Sequence, residues 1–354
     1  MSLLGLGLVL VVAEVSLWLV DPQLMIRRRG IHQYDPRLGW VPRPGVRSTP
    51  NGIRVSTGPM GERLAGFEPG VRGPQVVLFG DSVTFGLGVS DEHTFGSLLT
   101  RPEYGYDVVN LAVAGYGPDQ SLLRMEQTLP GLSASMVIFG LCLGNDLAEV
   151  ASPNNLYDEG IPKPRFVLRG GVLLLEDQYV RKAWMRGIVD SSFLLAGLTP
   201  ASEGREPGSP EVARRLDALR VSSATAEDTL AAIVRRMRVV AQRGRARFLV
   251  VVFPDARSHQ ATSQRWPRLK LKVESLADLL DLAPALAPDR SSYESNTLDH
   301  IGHLSGAGHE AVARLIAARL ARDLPANPLT VSPHEAPPEA FEGKAAGAKP
   351  PGSL

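Results

Sequence analysis

Gln75–Phe79 reads QVVLF, and residues 80–88 follow it as GDSVTFGLG. A short apolar run that stops at a glycine has the pattern of a strand buried on both faces of a parallel sheet. The pattern recurs. Residues 106–111 repeat it and end in the small residues AVAGYG, residues 136–143 (MVIFGLCL) are closed by Gly144, Asn145 and Asp146, and residues 248–253 read FLVVVF. Helical periods fall between and after these runs. Residues 118–129 can form a helix, and 225–243 place Leu230, Ile233, Val234, Met237 and Val240 on one face. Residues 306–324 carry Val312, Leu315, Ile316 and Leu320 on one stripe before Pro325. Strands alternating with helices predict an α/β fold: a three-layer α/β/α sandwich with a mostly parallel central sheet and functional residues at the strands' carboxyl ends.

The remaining length divides around that unit. The 354 residues allow one large domain with appendages or two modest ones, and placing all the motifs on one sheet favours a single domain over 74–324. Within it, residues 151–220 form an irregular insertion with scattered aromatics, a candidate lid. Residues 23–73 are rich in Pro, Gly and Arg without a sustained period and read as a linker. Residues 325–354 are rich in proline and nearly free of large apolar groups, so a disordered tail is expected.

Leu3–Val20 is apolar apart from Gly5, Gly7, Glu14 and Ser16. As a helix it would span roughly 27 Å, barely the hydrocarbon core of a bilayer. Residues 1–22 are therefore expected to form a transmembrane anchor or signal-anchor, with an uncleaved signal segment and a buried helix as the other readings. Arg27, Arg28 and Arg29 follow the run and no basic residue precedes it, so the positive-inside rule alone would keep the body in the cytoplasm. The expectation is a body anchored in the cell envelope, extracytoplasmic, with orientation open.

Thirty-eight basic residues against thirty-seven acidic ones give a formal charge of +1, which removes the electrostatic case for nucleic acid. The single cysteine, Cys142, excludes an intramolecular disulfide framework and a zinc site built on several thiolates. His32, His93, His259 and His334 show no metal-ligand spacing, and there is no phosphate loop of the GxxxxGKS type, so no cofactor is expected.

Four separated clusters carry the chemistry. Ser82 stands at the tip of the first strand, where its hydroxyl is exposed beside a backbone N–H that can receive developing negative charge; a capping serine is the plainer reading. Gly115, in NLAVAGYG (110–117), can let a ligand approach the backbone, or be a turn glycine. Asn145 can donate to an oxyanion, or make an Asx turn. In DHIGHLSGAG (299–308), His303 can serve as general base and Asp299 as the carboxylate that fixes its tautomer, whereas a lone histidine beside a helix start is more often a capping residue. The α/β-hydrolase plan needs GxSxG, which GDSVT (80–84) does not supply.

Taken together, FGDSVTFG, NLAVAGYG, LGND and HLSGAGHEAVA resemble the four blocks of the SGNH hydrolases, the GDSL esterase and lipase family, in order and spacing over about residues 76–324. The resemblance implies an SGNH, flavodoxin-like sandwich and a serine ester hydrolase working through an acyl-enzyme. Ser82 would be the nucleophile, His303 the base, and the Ser82 N–H, Gly115 N–H and Asn145 side chain the oxyanion hole. Two departures stand out. Leu143 holds the place where the asparagine block usually has glycine, and His300 holds the place, three before the histidine, where the family carboxylate sits. Asp299 lies four before, and on helical geometry offsets of three and four share a face, so Asp299 can still reach His303. A Ser–His dyad and His300 as base are the alternatives.

The expected substrate is an oxygen ester of a lipid or an O-acetylated glycan. The runner-up is a membrane-anchored glycan O-acetyltransferase with the same Ser–His site. From a different class, a non-catalytic SGNH-fold binding protein takes the shifted Asp299 as its supporting hint.

Overall fold

The computed structural model describes residues 3–20, 30–66, 73–143, 145–156, 161–198, 224–254, 265–299 and 302–324. The tail expected over 325–354 lies outside them, as do His300 and parts of the 151–220 insertion. Five strands form one parallel sheet: β1 (Gln75–Phe79), β2 (Asp107–Asn110), β3 (Met136–Cys142), β4 (Arg247–Phe253) and β5 (Asp278–Asp281), in the order β2-β1-β3-β4-β5. This is the flavodoxin-like order, whose switch point falls between β1 and β3, so the crevice opens beyond the carboxyl ends of those two strands.

Alternation along each strand builds two cores. Val77, Phe79, Val137, Phe139, Val250 and Val252 point to one face, where α2 (Pro118–Thr128) brings Leu122 and Met125 and α4 (Ala224–Arg243) brings Leu230, Ile233, Val234 and Met237. Val76, Leu78, Ile138, Leu249 and Val251 point to the other, against Val312, Ile316 and Leu320 of α5 (Gly306–Asp323). The α/β/α sandwich follows from this two-sided burial. The fifth strand, DLLD, escapes the sequence reading because it is an edge strand with only two apolar residues and partial burial.

The segment read as a linker is largely ordered. His32–Asp35 pairs with Gly39–Pro42, and Leu38, Trp40, Val46 and Val55 are buried. Arg63 is sunk against the nucleophile turn, with its guanidinium on Asp91 at 2.7 Å, on the carbonyls of Gly86 and Val89, and over the Phe85 ring. Truncating one member of a buried ion pair strands its partner. Arg63→Ala is expected to destabilise the fold by about 3–5 kcal/mol, read from urea unfolding midpoints; a loss under about 1 kcal/mol would contradict this account of the lead-in.

Among the described residues no helix is long and apolar enough to cross a membrane, so the expected transmembrane anchor is not supported. Leu3–Val20 does form a single helix, but about 27 Å falls short of a hydrocarbon core of about 30 Å. The described part of the insertion carries regular elements. It holds a hairpin, Arg165–Arg169 with Val172–Glu176, then the short helices Gln178–Lys182, Trp184–Ser191 and Phe193–Leu198.

Candidate active site

β1 delivers the nucleophile candidate. Gly80 follows the strand at φ +154°, and a Cβ there would come within 2.5 Å of Thr84 Oγ1 and 3.0 Å of the Gly140 carbonyl, so only glycine lets the chain turn this tightly. Asp81 caps the next helix, α1 (Ser82–Phe85), by accepting from the Val83 N–H at 3.0 Å. Ser82 is thereby the first residue of a helix, a position favourable to negative charge.

The segment just before α5 delivers the candidate base. Ser82 Oγ lies 2.8 Å from His303 Nε2, and His303 Nδ1 lies 2.6 Å from Asp299 Oδ2. A carboxylate at Nδ1 holds the ring proton there, which leaves the Nε2 lone pair to accept from the serine hydroxyl. Asp299 also accepts from the Gly302 and His303 N–H groups at 3.1 and 3.3 Å. Burial works to raise its carboxyl, but the His303 ring and these two N–H groups outweigh it and hold it below the usual carboxylate range.

Neither Asp299 nor His303 lies in a helix. Thr297 pairs with Leu304 across an antiparallel bridge, and the Leu298 N–H donates to the His303 carbonyl at 2.6 Å. These two contacts hold the segments on either side together, with the Asp299 carboxylate on the imidazole. The structure brings Asp299 onto His303, but not through the helical spacing from which that contact is expected.

The two remaining oxyanion candidates follow β2 and β3. Gly115 has φ +80°, and a Cβ there would crowd Asn155 Nδ2 at 3.1 Å and Trp40 Cζ2 at 3.5 Å. Its loop is clamped by the lead-in hairpin: Trp40 Nε1 donates to the Ala114 carbonyl at 3.1 Å, and Tyr116 Oη donates to the Trp40 carbonyl at 2.6 Å. Asn145 is the N-cap residue of α3 (Asp146–Ala151), and its Nδ2 donates to Asp81 Oδ2 at 3.1 Å. One carboxylate thus caps the nucleophile helix and orients the asparagine amide, a link that sequence separation conceals.

Beneath these groups lies a buried acidic cluster that the sequence reading missed. Asp119 pairs with Lys163 at 3.2 Å, both wholly buried, and Asp146 Oδ2 accepts from the Cys142 N–H at 2.7 Å. Burial pushes the carboxyls of Asp81 and Asp146 up, Asp146 strongly, with Asp81 adding to it. Among the described residues Glu149 has no hydrogen-bond partner on either oxygen, and burial pushes its carboxyl up to about 8 from 4.5.

The folded chain therefore keeps a proton on Glu149 between pH 4.5 and about 8 that the unfolded chain has released, so stability falls as pH rises through that window. Glu149→Gln, uncharged throughout, should flatten the decline by roughly 1–3 kcal/mol, measured as urea midpoints at the two ends of the window. An unchanged slope would contradict the buried-acid assignment.

Within the histidine motif, His309 serves packing. Its Nδ1 accepts from the Phe95 N–H at 3.1 Å, its ring stacks on Phe95, and burial lowers its pKa to about 3, so it stays neutral. Among the described residues no cluster of histidine, cysteine and carboxylate side chains could hold a metal ion.

No family model matches the chain, and no curated protein does. It is similar to a GDSL-like lipase from Bacteroides thetaiotaomicron at 14% identity, covering 71% of this chain and 89% of that one with a TM-score of 0.40. It is similar to a psychrotrophic esterase from Pseudoalteromonas at 10% identity, 71% and 99% coverage and a TM-score of 0.39. A catalytic mutant of an acetylxylan esterase from Geobacillus stearothermophilus gives 12% identity, 72% and 97% coverage and a TM-score of 0.41. In this chain Ser82, Gly115 and Asn145 stand just beyond the carboxyl ends of β1, β2 and β3, with His303 hydrogen-bonded to Ser82.

Proposed function

We propose that the chain is a serine ester hydrolase that works through an acyl-enzyme. The observation that carries this reading is the hydrogen-bonded line Ser82 Oγ, His303 Nε2, His303 Nδ1, Asp299 Oδ2, at 2.8 and 2.6 Å. His303 takes the hydroxyl proton as Ser82 Oγ bonds to the ester carbon. The carbonyl oxygen becomes an oxyanion, held by the Ser82 and Gly115 N–H groups and the Asn145 amide. Collapse breaks the bond to the alcohol oxygen, which leaves with the proton from His303. A water molecule then repeats the sequence on the acyl-enzyme, giving up its proton to His303, and the acid is released as Ser82 regains it.

An oxygen ester of a lipid or of an O-acetylated glycan is the proposed substrate. Transfer to a glycan hydroxyl is the same chemistry with a sugar in place of water. The non-catalytic reading drew on the displaced carboxylate, and Asp299 at 2.6 Å from the imidazole removes that support. A panel of esters from acetyl to long acyl chains, run with and without a glycan acceptor, tests the proposal. Hydrolysis of at least one ester to acid and alcohol supports it, acyl transfer outpacing hydrolysis would reassign it as an acyltransferase, and no turnover with either acceptor would overturn it.

A further inference from the structure

Two elements outside the catalytic crevice expose apolar surface where a soluble protein would expose polar groups. The first is the N-terminal helix Leu3–Val20. Leu8, Val9, Leu10, Val11 and Val12 are each more than half exposed, and at about 100° per residue five consecutive positions cover every direction around the axis. A protein partner covers one stripe of a helix. Apolar groups on all sides call for an apolar medium.

The single charge in that helix is turned back onto the protein. Glu14 accepts from the Phe193 N–H at 2.6 Å, the Leu194 N–H at 3.0 Å and the Ser192 hydroxyl at 3.1 Å. These groups open the helix Phe193–Leu198, so the carboxylate caps an insertion helix and has its own charge met there.

The second element is the neighbouring helix Trp184–Ser191, whose polarity is inverted. Its Gly187 side lies on Tyr34, and Asp190 accepts from the Tyr34 N–H at 3.0 Å. Trp184, Met185 and Ile188 fall within about 100° of arc on the opposite side and are 59%, 64% and 53% exposed. Exposed Tyr179 and Lys182 precede them, with Arg181 paired to Asp177 at 2.6 Å, and Arg27, Arg28 and Arg29 follow the N-terminal helix in sequence. Aromatic and aliphatic groups bordered by basic ones match the headgroup boundary of an acidic bilayer.

We propose that this pair of elements docks the protein on a lipid bilayer with acidic headgroups, the N-terminal helix in the acyl region and the Trp184–Met185–Ile188 face at headgroup depth, joined through Glu14. The insertion, and not the N-terminal helix alone, is then a membrane-contacting part of the domain.

The test uses the full chain with a nitrobenzoxadiazole label at Met185→Cys, and a control label at Glu310→Cys on the exposed side of α5. The native thiol of Cys142 is buried. With phosphatidylcholine–phosphatidylglycerol vesicles, the label at 185 should be reduced by dithionite several-fold more slowly than the label at 310, and be quenched by bromolipid. Binding should weaken several-fold on phosphatidylcholine alone. Equal dithionite rates at the two sites on vesicle-bound protein would overturn the docking face. Protection at 185 that needs no vesicles and grows with protein concentration would assign the face to a second copy of the chain and overturn the lipid proposal.

Discussion

Ser82→Ala is expected to lower kcat/KM for any turned-over ester by 10⁴-fold or more, about 5.5 kcal/mol of transition-state stabilisation at roughly 1.4 kcal/mol per factor of ten. The effect is this large because the hydroxyl is the atom that forms the covalent bond, and neither His303 nor the oxyanion donors can replace it. The fold should survive. Ser82 makes its side-chain hydrogen bond to His303, while the helix cap comes from Asp81 and the Val83 N–H. Steady-state kinetics beside thermal unfolding separate the two contributions, and a variant with wild-type unfolding and more than a tenth of wild-type turnover would remove Ser82 from the chemistry.

Asp299→Asn is the second large effect, roughly 10³-fold in kcat. The asparagine amide can present N–H instead of a carboxylate oxygen to Nδ1, which favours the tautomer with its proton on Nε2, where the base needs a lone pair. The imidazolium formed in the transition state also loses its counter-charge. Because Asp299 sits below the usual carboxylate range in the folded protein, its stabilising contribution is present above the unfolded carboxylate pKa and is lost as pH falls through the folded value. His300→Ala should leave kcat within a few-fold of wild type, since the carboxylate at 299 already occupies Nδ1. Kinetics of both variants decide between a triad, a dyad and a base at 300: a dyad predicts a small effect of Asp299→Asn, and a base at 300 predicts a large effect of His300→Ala.

The central sheet is legible because buried strands must be apolar on both faces, and QVVLF, MVIFGLCL and FLVVVF have few other ways to fold. β5 is not, because an edge strand with partial burial needs only two leucines. The site residues are legible as motifs at strand ends, but their mutual geometry is not. Helical spacing predicts the Asp299–His303 contact, whereas the chain makes it outside any helix, next to the Thr297–Leu304 bridge. Trp40 and Arg63, which clamp the Gly115 loop and the nucleophile turn, lie in a segment without a period, and their roles come from long-range hydrogen bonds that no local pattern encodes. The same holds for the Asp81–Asn145 link, 64 residues apart, and for Glu149, whose carboxyl is raised chiefly by burial, with Asp119 and Asp81 adding to it and Lys163 opposing. No local pattern marks Lys163 as buried against Asp119, 44 residues away in sequence.

The central claim is that Ser82 is a nucleophile activated by His303. Reaction of the purified full chain with a fluorophosphonate tests it most directly, because the reagent bonds only to a serine whose proton is removed and whose developing oxyanion is held. The account predicts a single adduct on the tryptic peptide that contains Ser82, lost in both Ser82→Ala and His303→Ala. An unlabelled wild-type protein, or an adduct on another serine, would contradict it.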